Sequence, residues 1–442
     1  MKKLFLFILV ILTFKTQAQD NKWTLRACVD YAIENNISVK QSDLDLKASE
    51  ISRKDAIGNF LPSLNASVNH SWSIGLGQDP VTFDAVNSTT KNISGGVSSS
   101  LDLYRGLRNL NQLHRSNLEV LASQYKLDDM KDNIALMVAN SFLQILFNKE
   151  QYKVLSVQHD ISKEELNRTK ELVNVGSLPK GDLLEIQATL ASQEQQLVNA
   201  QNAILLSRIQ LAQTLLIKDY QQFDIVDSEY NIPDTFILNE SPEAIINKAK
   251  ETRYNIKIAE NNAKMAAYDL KMAKGALQPS LTGSYSFGSN YFQSGLYDTP
   301  DFETQISDNK SHNFSINLSI PVFNGFSGRN NVKRNQVNLD RSKYQLEQAH
   351  LDIETNVYQA YNDARGALKA YEAAQKTLLA RKEAFDYSKE RYNVGLLNAF
   401  DFNQSQSRFE QAQSDVVRTK YDYIFKLKVL EFYFGIPITD IN

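Results

Sequence analysis

From Leu107 to Val175 the chain has no glycine and no proline, a run of about 69 residues that would measure about 100 Å as an α-helix at 1.5 Å per residue. A segment like this cannot turn often. It argues against the two to four compact domains that 442 residues would otherwise suggest at ~100–200 residues each. The bias holds for the whole chain, with Gly 17 and Pro 9 of 442, roughly 4% and 2% against usual values of about 7% and 5%. Hydrophobic content of 42% and charged content of 22% suit a folded protein.

The sequence is written twice. Lys170-Glu171-Leu172-Val173-Asn174-Val175-Gly176-Ser177-Leu178 returns as Lys389-Glu390-Arg391-Tyr392-Asn393-Val394-Gly395-Leu396-Leu397, an offset of 389 − 170 = 219. The same offset carries Gly106 onto Gly325 and Asp182 onto Asp401, while Pro62-Ser63-Leu64 returns as Pro279-Ser280-Leu281 at 217. An ordered series over the whole chain marks a tandem duplication rather than a short-period solenoid. The expected division is a first repeat over 19–230 and a second over 231–442.

Each repeat holds two long helical runs around a breaker cluster. The first run stops at Gly176-Ser177-Leu178-Pro179-Lys180-Gly181 and restarts at Asp182; the second stops near Val394 and restarts near Asp401. Seam candidates recur at three-four spacing: Tyr152, Leu155, His159, Ser162, Leu166, Thr169 and Val173, then Tyr371, Ala374, Leu378, Arg381, Phe385, Ser388 and Tyr392. A mean spacing of 3.5 reads as a coiled-coil seam, weakened here by polar and small members. The helices therefore form hairpins, with tips expected at about 174–182 and 393–401.

Elsewhere the period changes to two. Leu64, Ala66, Val68, His70, Trp72 and Ile74 alternate with polar residues, as do Phe314, Ile316, Leu318, Ile320 and Val322. Strands are expected over about 63–74, 92–104, 280–292 and 311–323. Their length and their terminal aromatics Trp72, Tyr104, Tyr291 and Phe323 suit tilted transmembrane strands. A soluble sheet wetted on one side would alternate in the same way.

The N-terminus bears on the compartment. Lys2 and Lys3 precede an apolar run from Leu4 to Leu12, and Thr16-Gln17-Ala18 follows, the pattern of a cleaved secretory signal over 1–18. Its removal takes Lys2, Lys3 and Lys15, so the charge moves from −3 to −3 − 3 = −6. That balance gives no footing for nucleic acid. The single Cys28 rules out an intrachain disulfide and a multi-cysteine metal site. An exported chain without a long apolar helix meets a bilayer only as a β-barrel. Four strands cannot close one, and a water-filled lumen needs more than eight, so a pore implies at least three copies.

These features resemble the TolC-like outer-membrane efflux proteins. The resemblance rests on Trp23-Thr24-Leu25-Arg26-Ala27-Cys28-Val29-Asp30-Tyr31-Ala32, Phe60-Leu61-Pro62-Ser63-Leu64, Ile320-Pro321-Val322-Phe323-Asn324-Gly325 and Arg391-Tyr392-Asn393-Val394-Gly395, in that order around the duplication. It implies a mainly α fold with a β-barrel part: tandem-duplicated long hairpins plus four transmembrane strands per chain, assembling as a homotrimer with a 12-stranded barrel and a helical periplasmic tunnel. The implied activity is passive conduction across the outer membrane, with no cofactor. The implied partners are a periplasmic adaptor (membrane fusion) protein, an inner-membrane pump or secretion ATPase, and outer-membrane lipid.

The resemblance also implies a periplasmic gate. Asp401 matches the first acid of a closing ring, Gln404 replaces the second, and Tyr392 and Asp182 match a pair linking neighbouring hairpins. Leu397 stands where well-studied members carry an arginine lock, so that bond cannot form. Both acids also read as helix N-caps, through Asp182-Leu183-Leu184-Glu185 and Asp401-Phe402-Asn403-Gln404. At the tips, Val175, Gly176, Ser177, Leu178, Val394, Gly395, Leu396 and Leu397 combine helix stops with apolar side chains expected to be exposed, which suits adaptor docking.

No catalytic constellation is legible. The five histidines, His70, His114, His159, His312 and His350, have no metal-ligand spacing. Glu164 and Glu165 read as a solvated helix face, and Cys28 as a buried small hydrophobe. The competing function is a non-conducting periplasmic scaffold or adaptor with a soluble sheet.

Overall fold

The computed structural model describes residues 22–79, 81–227 and 236–438. The expected signal segment 1–18, and the boundary between repeats at 230/231, lie outside the described residues. The described residues fall into two compact units, one of 22–42, 127–227, 236–254 and 350–438 and the other of 43–79, 81–126 and 255–349.

The duplication is visible in the element bounds. Helices α1 (Leu25–Asn35) and α2 (Ile37–Gly58), strands β1 (Ser63–Gln78) and β2 (Ala85–Arg105), and helices α3 (Arg108–Asn174) and α4 (Lys180–Thr214) make the first series. The second is α5 (Pro242–Thr252), α6 (Tyr254–Gly275), β3 (Ser280–Ser294), α7 (Phe302–Asp308), β4 (Ser311–Ser319), α8 (Ser327–Asn393) and α9 (Ala399–Phe434). Helices α1 and α2 recur as α5 and α6 at an offset of 217. The 67-residue α3 recurs as the 67-residue α8 at 219. Left-handed residues follow suit: Gly106 and Gly325, Leu107 and Phe326, Gly176 and Gly395, Leu216 and Gly435 all have positive φ. Even the caps repeat. The Thr24 hydroxyl accepts from the Ala27 N–H ahead of α1, and the Ser241 hydroxyl accepts from the Ala244 N–H ahead of α5.

The second unit holds an antiparallel meander in the order β1-β2-β3-β4. Opposed residues share a face, so the register sorts the side chains. Leu64, Val97, Phe287, Phe314, Ile316 and Leu318 fall on one face with Trp72 and Tyr291. The other face is mostly serine, asparagine, threonine and glycine, with Phe292 near one end and Asp102 and Arg105 at the other. One transverse row reads Ser63–Ser100–Ser284–Ser315, and the next Asn65–Ser98–Ser286–Asn313. The outer edges of β1 and β4 have no partner strand among the described residues. Strand β4 stops at Ser319, four residues before the expected end, because Pro321 follows and lacks the N–H a ladder needs. Beyond its start, α7 covers the edge of β3. The Gln305 amide both donates to Phe292 O and accepts from Phe292 N at 2.9 Å, substituting for a strand backbone.

The first unit is helical. Its core includes the fully buried Cys28, Ala249, Tyr423, Ile424 and Leu427. Burial pushes the Cys28 thiol up to about 12, in line with a small core hydrophobe. A buried ion pair, Lys428 to Glu431 at 2.6 Å, lies on one face of α9.

Candidate functional site

The two hairpin turns belong to the first unit and have the same backbone. After α3, the Ser177 N–H donates to Leu172 O at 2.8 Å; after α8, the Leu396 N–H donates to Arg391 O at 2.8 Å. Each bond spans a glycine, Gly176 at φ 76° or Gly395 at φ 75°. This is the Schellman closure, which needs a residue free of a Cβ penalty in the left-handed region. A Cβ on either glycine would meet open space, so φ alone demands glycine there.

Around the second turn a small aromatic core forms from Phe385, Tyr392, Ala399 and Phe402, all buried, with Leu178, Leu397 and Phe409 packed against it. Tyr392 stacks on Phe402 with centroids 4.6 Å apart, and Phe385 on Phe409 at 5.2 Å. The duplicated leucines Leu178 and Leu397, expected to be exposed, thus turn inward. The helical hairpin tip has little volume, and covering the aromatic rings removes more apolar surface from water than projecting outward. Val175, Val394 and Leu396 are exposed as expected, and so is Phe400, which the sequence reading omitted.

The four gate candidates have different surroundings. Tyr392 is buried, Asp182 half-buried, Asp401 and Gln404 exposed. The Tyr392 hydroxyl lies 3.4 Å from Thr169 Oγ1, a contact within this chain. Burial above all, helped by the charges of Glu165 and Asp182, holds the phenol above its usual pKa. Neither acid is the N-cap that its sequence context suggests. Helix α9 starts at Ala399 behind Asn398, whose Oδ1 accepts from the Asp401 N–H at 2.8 Å and whose Nδ2 donates to Asp401 Oδ2 at 2.9 Å. Asp401 is the third residue of its helix and answers the cap. Asp182 holds the same place in α4 behind Pro179, which has no capping side chain. The cap positions Pro179 and Asn398 stand three residues before the acids, so the helices start earlier than the acids suggest.

Gln404 faces a groove of about 570 Å³ between α4 and α9, with Glu185, Gln193, Gln196, Arg408 and Glu410. Behind it lies a polar network. Gln406 Nε2 donates to Ser162 Oγ at 2.7 Å and to Glu410 Oε1 at 2.8 Å, and Gln193 Nε2 donates to the same oxygen at 2.9 Å. Gln158 joins from α3, donating to Gln413 Oε1 at 2.9 Å. The polar seam members hinted at this network, but its partners on α9 carried no periodic signal. Glu165 corrects the reading of a solvated face: it is 9% exposed, and burial raises its carboxyl above the ordinary range. Arg381 goes the other way, a seam candidate that is exposed.

The comparisons with known proteins cover both repeats. A model of the family described as outer membrane efflux protein matches residues 28–215 and 245–435. The outer membrane protein TolC of Vibrio cholerae is 22% identical over 404 residues, spanning 90% of this chain and 88% of that protein. The pyoverdine export outer membrane protein OpmQ of Pseudomonas aeruginosa is 26% identical over 370 residues, 82% of this chain and 74% of that protein. Among solved structures, the outer membrane protein VceC of Vibrio cholerae superposes with a TM-score of 0.80 at 14% identity, covering 94% of this chain and 96% of that one. The CmeC outer membrane channel of Campylobacter jejuni gives 0.77 at 18% identity, covering 93% and 85%. With the fold shared and the family model matched in both halves, this chain belongs to the outer membrane efflux protein family.

Proposed function

We propose that this outer-membrane efflux channel works as a homotrimer and as the passive exit duct of a tripartite efflux or type I secretion system. A periplasmic adaptor and an inner-membrane pump or secretion ATPase would deliver its cargo. The observation that carries the reading is the sheet, with one apolar face, one polar face and two open edges. From Leu281 to Tyr291 the apolar face runs about 33 Å along the strand, about 25 Å once tilted, the height of a barrel's lipid band. Leaving β1 and β4 unpaired exposes two rows of backbone polar groups. Three copies joined β4 to β1 would satisfy them with 12 strands. A periplasmic scaffold has no use for Val68, Ile74, Phe314 and Ile316 in water, all at least 74% exposed in the single chain.

Helix α8 supports assembly with further copies. Val337, Tyr344, Leu351 and Tyr358 stand seven residues apart and are exposed, the stripe of a seam awaiting a partner helix. In this reading the repeats 19–230 and 231–442 alternate around the axis. Asp401 and Gln404 form the closing ring with half the acids of a doubly acidic one, and Tyr392 and Asp182 brace it. The adaptor meets Val175, Val394 and Leu396, on turns fixed by Gly176 and Gly395 with Ser177, while Leu178 and Leu397 support the tip from inside. Conduction asks for no catalytic group.

Single-channel recording of the detergent-purified protein in a planar bilayer tests the duct, with cross-linking to count copies. Long-lived discrete current steps from a cross-linked trimer are the expected result. Protein that stays in aqueous buffer and inserts no channels would leave the scaffold reading instead.

A further inference from the structure

The polar face of the sheet contains an unusual omission. Along β1 from Ser63 to Ser73, along β2 from Thr90 to Ser100, and along the paired parts of β3 and β4, its side chains are serine, asparagine, threonine, glycine and one phenylalanine, Phe292. Ionisable groups appear on this face only at its lower end, where Arg105 Nη1 binds Asp102 Oδ2 at 3.1 Å and the charges cancel. Lys91, His70 and His312 fall on the opposite, apolar face. Above that lower end the hydroxyls bond to one another across strands, Ser63 Oγ to Ser100 Oγ at 2.9 Å and Ser284 Oγ to Ser315 Oγ at 2.6 Å, while at the end itself Thr282 Oγ1 donates to Asp102 Oδ1 at 3.3 Å. Acids do collect beyond the strands, at Asp79, Asp84, Asp298 and Asp301 in the loops and at Glu303 and Asp308 in α7. Ser284 is ten residues from the end of β3, about 33 Å away, several times the ~8 Å screening length in physiological salt.

We infer that this face makes an uncharged, hydrogen-bonding exit wall that passes polar solutes of either sign, or none, without sorting them by charge. The inference rests on the duct reading, which places the polar face inward. Rings of charged side chains are what give a pore its ion preference. Serine and asparagine both donate and accept, so they replace water around a cationic, anionic or neutral cargo with equal ease. Selection by charge is then left to the helical part of the duct and to the pump that loads it. The specificity-determining feature is the pair of rows Ser63–Ser100–Ser284–Ser315 and Asn65–Ser98–Ser286–Asn313.

Thiol labelling in the assembled, membrane-inserted protein tests this. The native Cys28 does not interfere, being fully buried with its thiol pushed up to about 12. Ser284→Cys places a thiol on the polar face and Ile316→Cys on the apolar face, one register step away. Membrane-impermeant cationic and anionic methanethiosulfonate reagents are applied to each, with rates normalised to a free thiol. The expected result is labelling of Ser284→Cys by both reagents with a normalised ratio within about threefold of one, and protection of Ile316→Cys. A charged wall would bias the ratio by about tenfold or more, an outcome that overturns the uncharged wall and leaves the duct standing, whereas no labelling of Ser284→Cys would mean that the polar face lines no water and would take the duct reading down with the inference. Equal labelling of Ile316→Cys means that no lipid covers the apolar face, and the duct reading falls together with the inference. Ser98→Cys, in the second row, repeats the test should Ser284→Cys fail to assemble.

Discussion

Tyr392 and Phe402 lie face to face across the second hairpin turn, with ring centroids 4.6 Å apart and planes within 9°. The stack joins the last turn of α8 to the first turn of α9, and Phe385 and Phe409 repeat it one layer further in. The aromatic rings form the apolar core of this tip. The Tyr392 hydroxyl adds only a long contact to Thr169 at 3.4 Å, at the weak limit of a hydrogen bond.

Tyr392→Phe should therefore cost the hairpin less than about 1 kcal/mol, while Tyr392→Ala should cost about 3–5 kcal/mol by removing a buried ring. Thermal unfolding with limited proteolysis at the tip reads both. If the phenol also braces a closed gate, Tyr392→Phe raises leak conductance without lowering the melting temperature. Equal loss of stability in both variants would show that the hydroxyl, not the ring, carries the tip.

Asp401 separates gating from capping because its capping partner is a different residue. Asn398→Ala removes the cap proper and should cost about 1 kcal/mol. Asp401→Asn keeps a side chain able to answer Asn398 and loses only a carboxylate in the first turn, worth about 0.3–1 kcal/mol. Three carboxylates near one axis attract cations, so block of the channel by multivalent cations should weaken in Asp401→Asn and persist in Asn398→Ala. Block unchanged in Asp401→Asn would confine Asp401 to the helix terminus.

Much of this was written in the sequence. The breaker-free run gave α3 nearly to the residue, and the 219-residue offset carried its bounds onto α8. Strand alternation gave the two faces of the sheet because period two is a local property of the chain. What was not legible depends on partners distant in sequence. Glu165 looks solvated by its neighbours on α3, and only the packing of other helices buries it. Leu178 and Leu397 look like exposed tip residues until the rings of Phe385, Tyr392 and Phe402 converge beneath them. The capping register slipped by three because an acid before an apolar residue is also what a third helical position looks like. The polar network from Ser162 through Gln406 to Gln193 has no sequence signature, since glutamine and serine on a helix read as surface.

Two glycines in the second unit meet back to back. A Cβ on Gly106 would overlap the Gly275 carbonyl oxygen, and a Cβ on Gly275 would overlap that of Gly106. Both obstacles are backbone, so no side-chain rotation relieves them. Gly106→Ala and Gly275→Ala should each block formation of assembled protein in the outer membrane fraction. The other pair of the repeat, Gly58, the counterpart of Gly275, and Gly325, the counterpart of Gly106, has open space where a Cβ would go within the single chain. Joining β4 to β1 of the next copy would bring these two together as Gly106 and Gly275 meet here, so Gly58→Ala should leave the single chain folded and still lower the yield of trimer. Gly325→Ala should add a cost of about 1–2 kcal/mol for its φ of 62°. Normal assembly of Gly106→Ala would mean that the backbones part more easily than their packing suggests.

The groove between α4 and α9 gives a pH dependence whose sign can be worked out. Burial raises the Glu410 carboxyl above its ordinary value of 4.5, and the amide donors Gln406 and Gln193 only partly restore it. The folded state therefore holds this proton at a pH where the unfolded chain has released it. Stability from this group is fully present below about pH 4.5 and is lost as pH rises through the raised folded value. Glu165, buried on α3, shifts in the same direction and adds to the slope. Glu410→Gln keeps an oxygen to accept from Gln406 and Gln193 and has no charge to bury. Its melting temperature at neutral pH should equal or exceed that of the native protein, and its decline as pH rises above about 4.5 should be shallower. Glu410→Gln with Glu165→Gln should flatten the decline further. An unchanged slope in the double variant would mean that other groups set the pH dependence, and a lower melting temperature for Glu410→Gln at neutral pH would mean that the ionised carboxylate is stabilising where it sits.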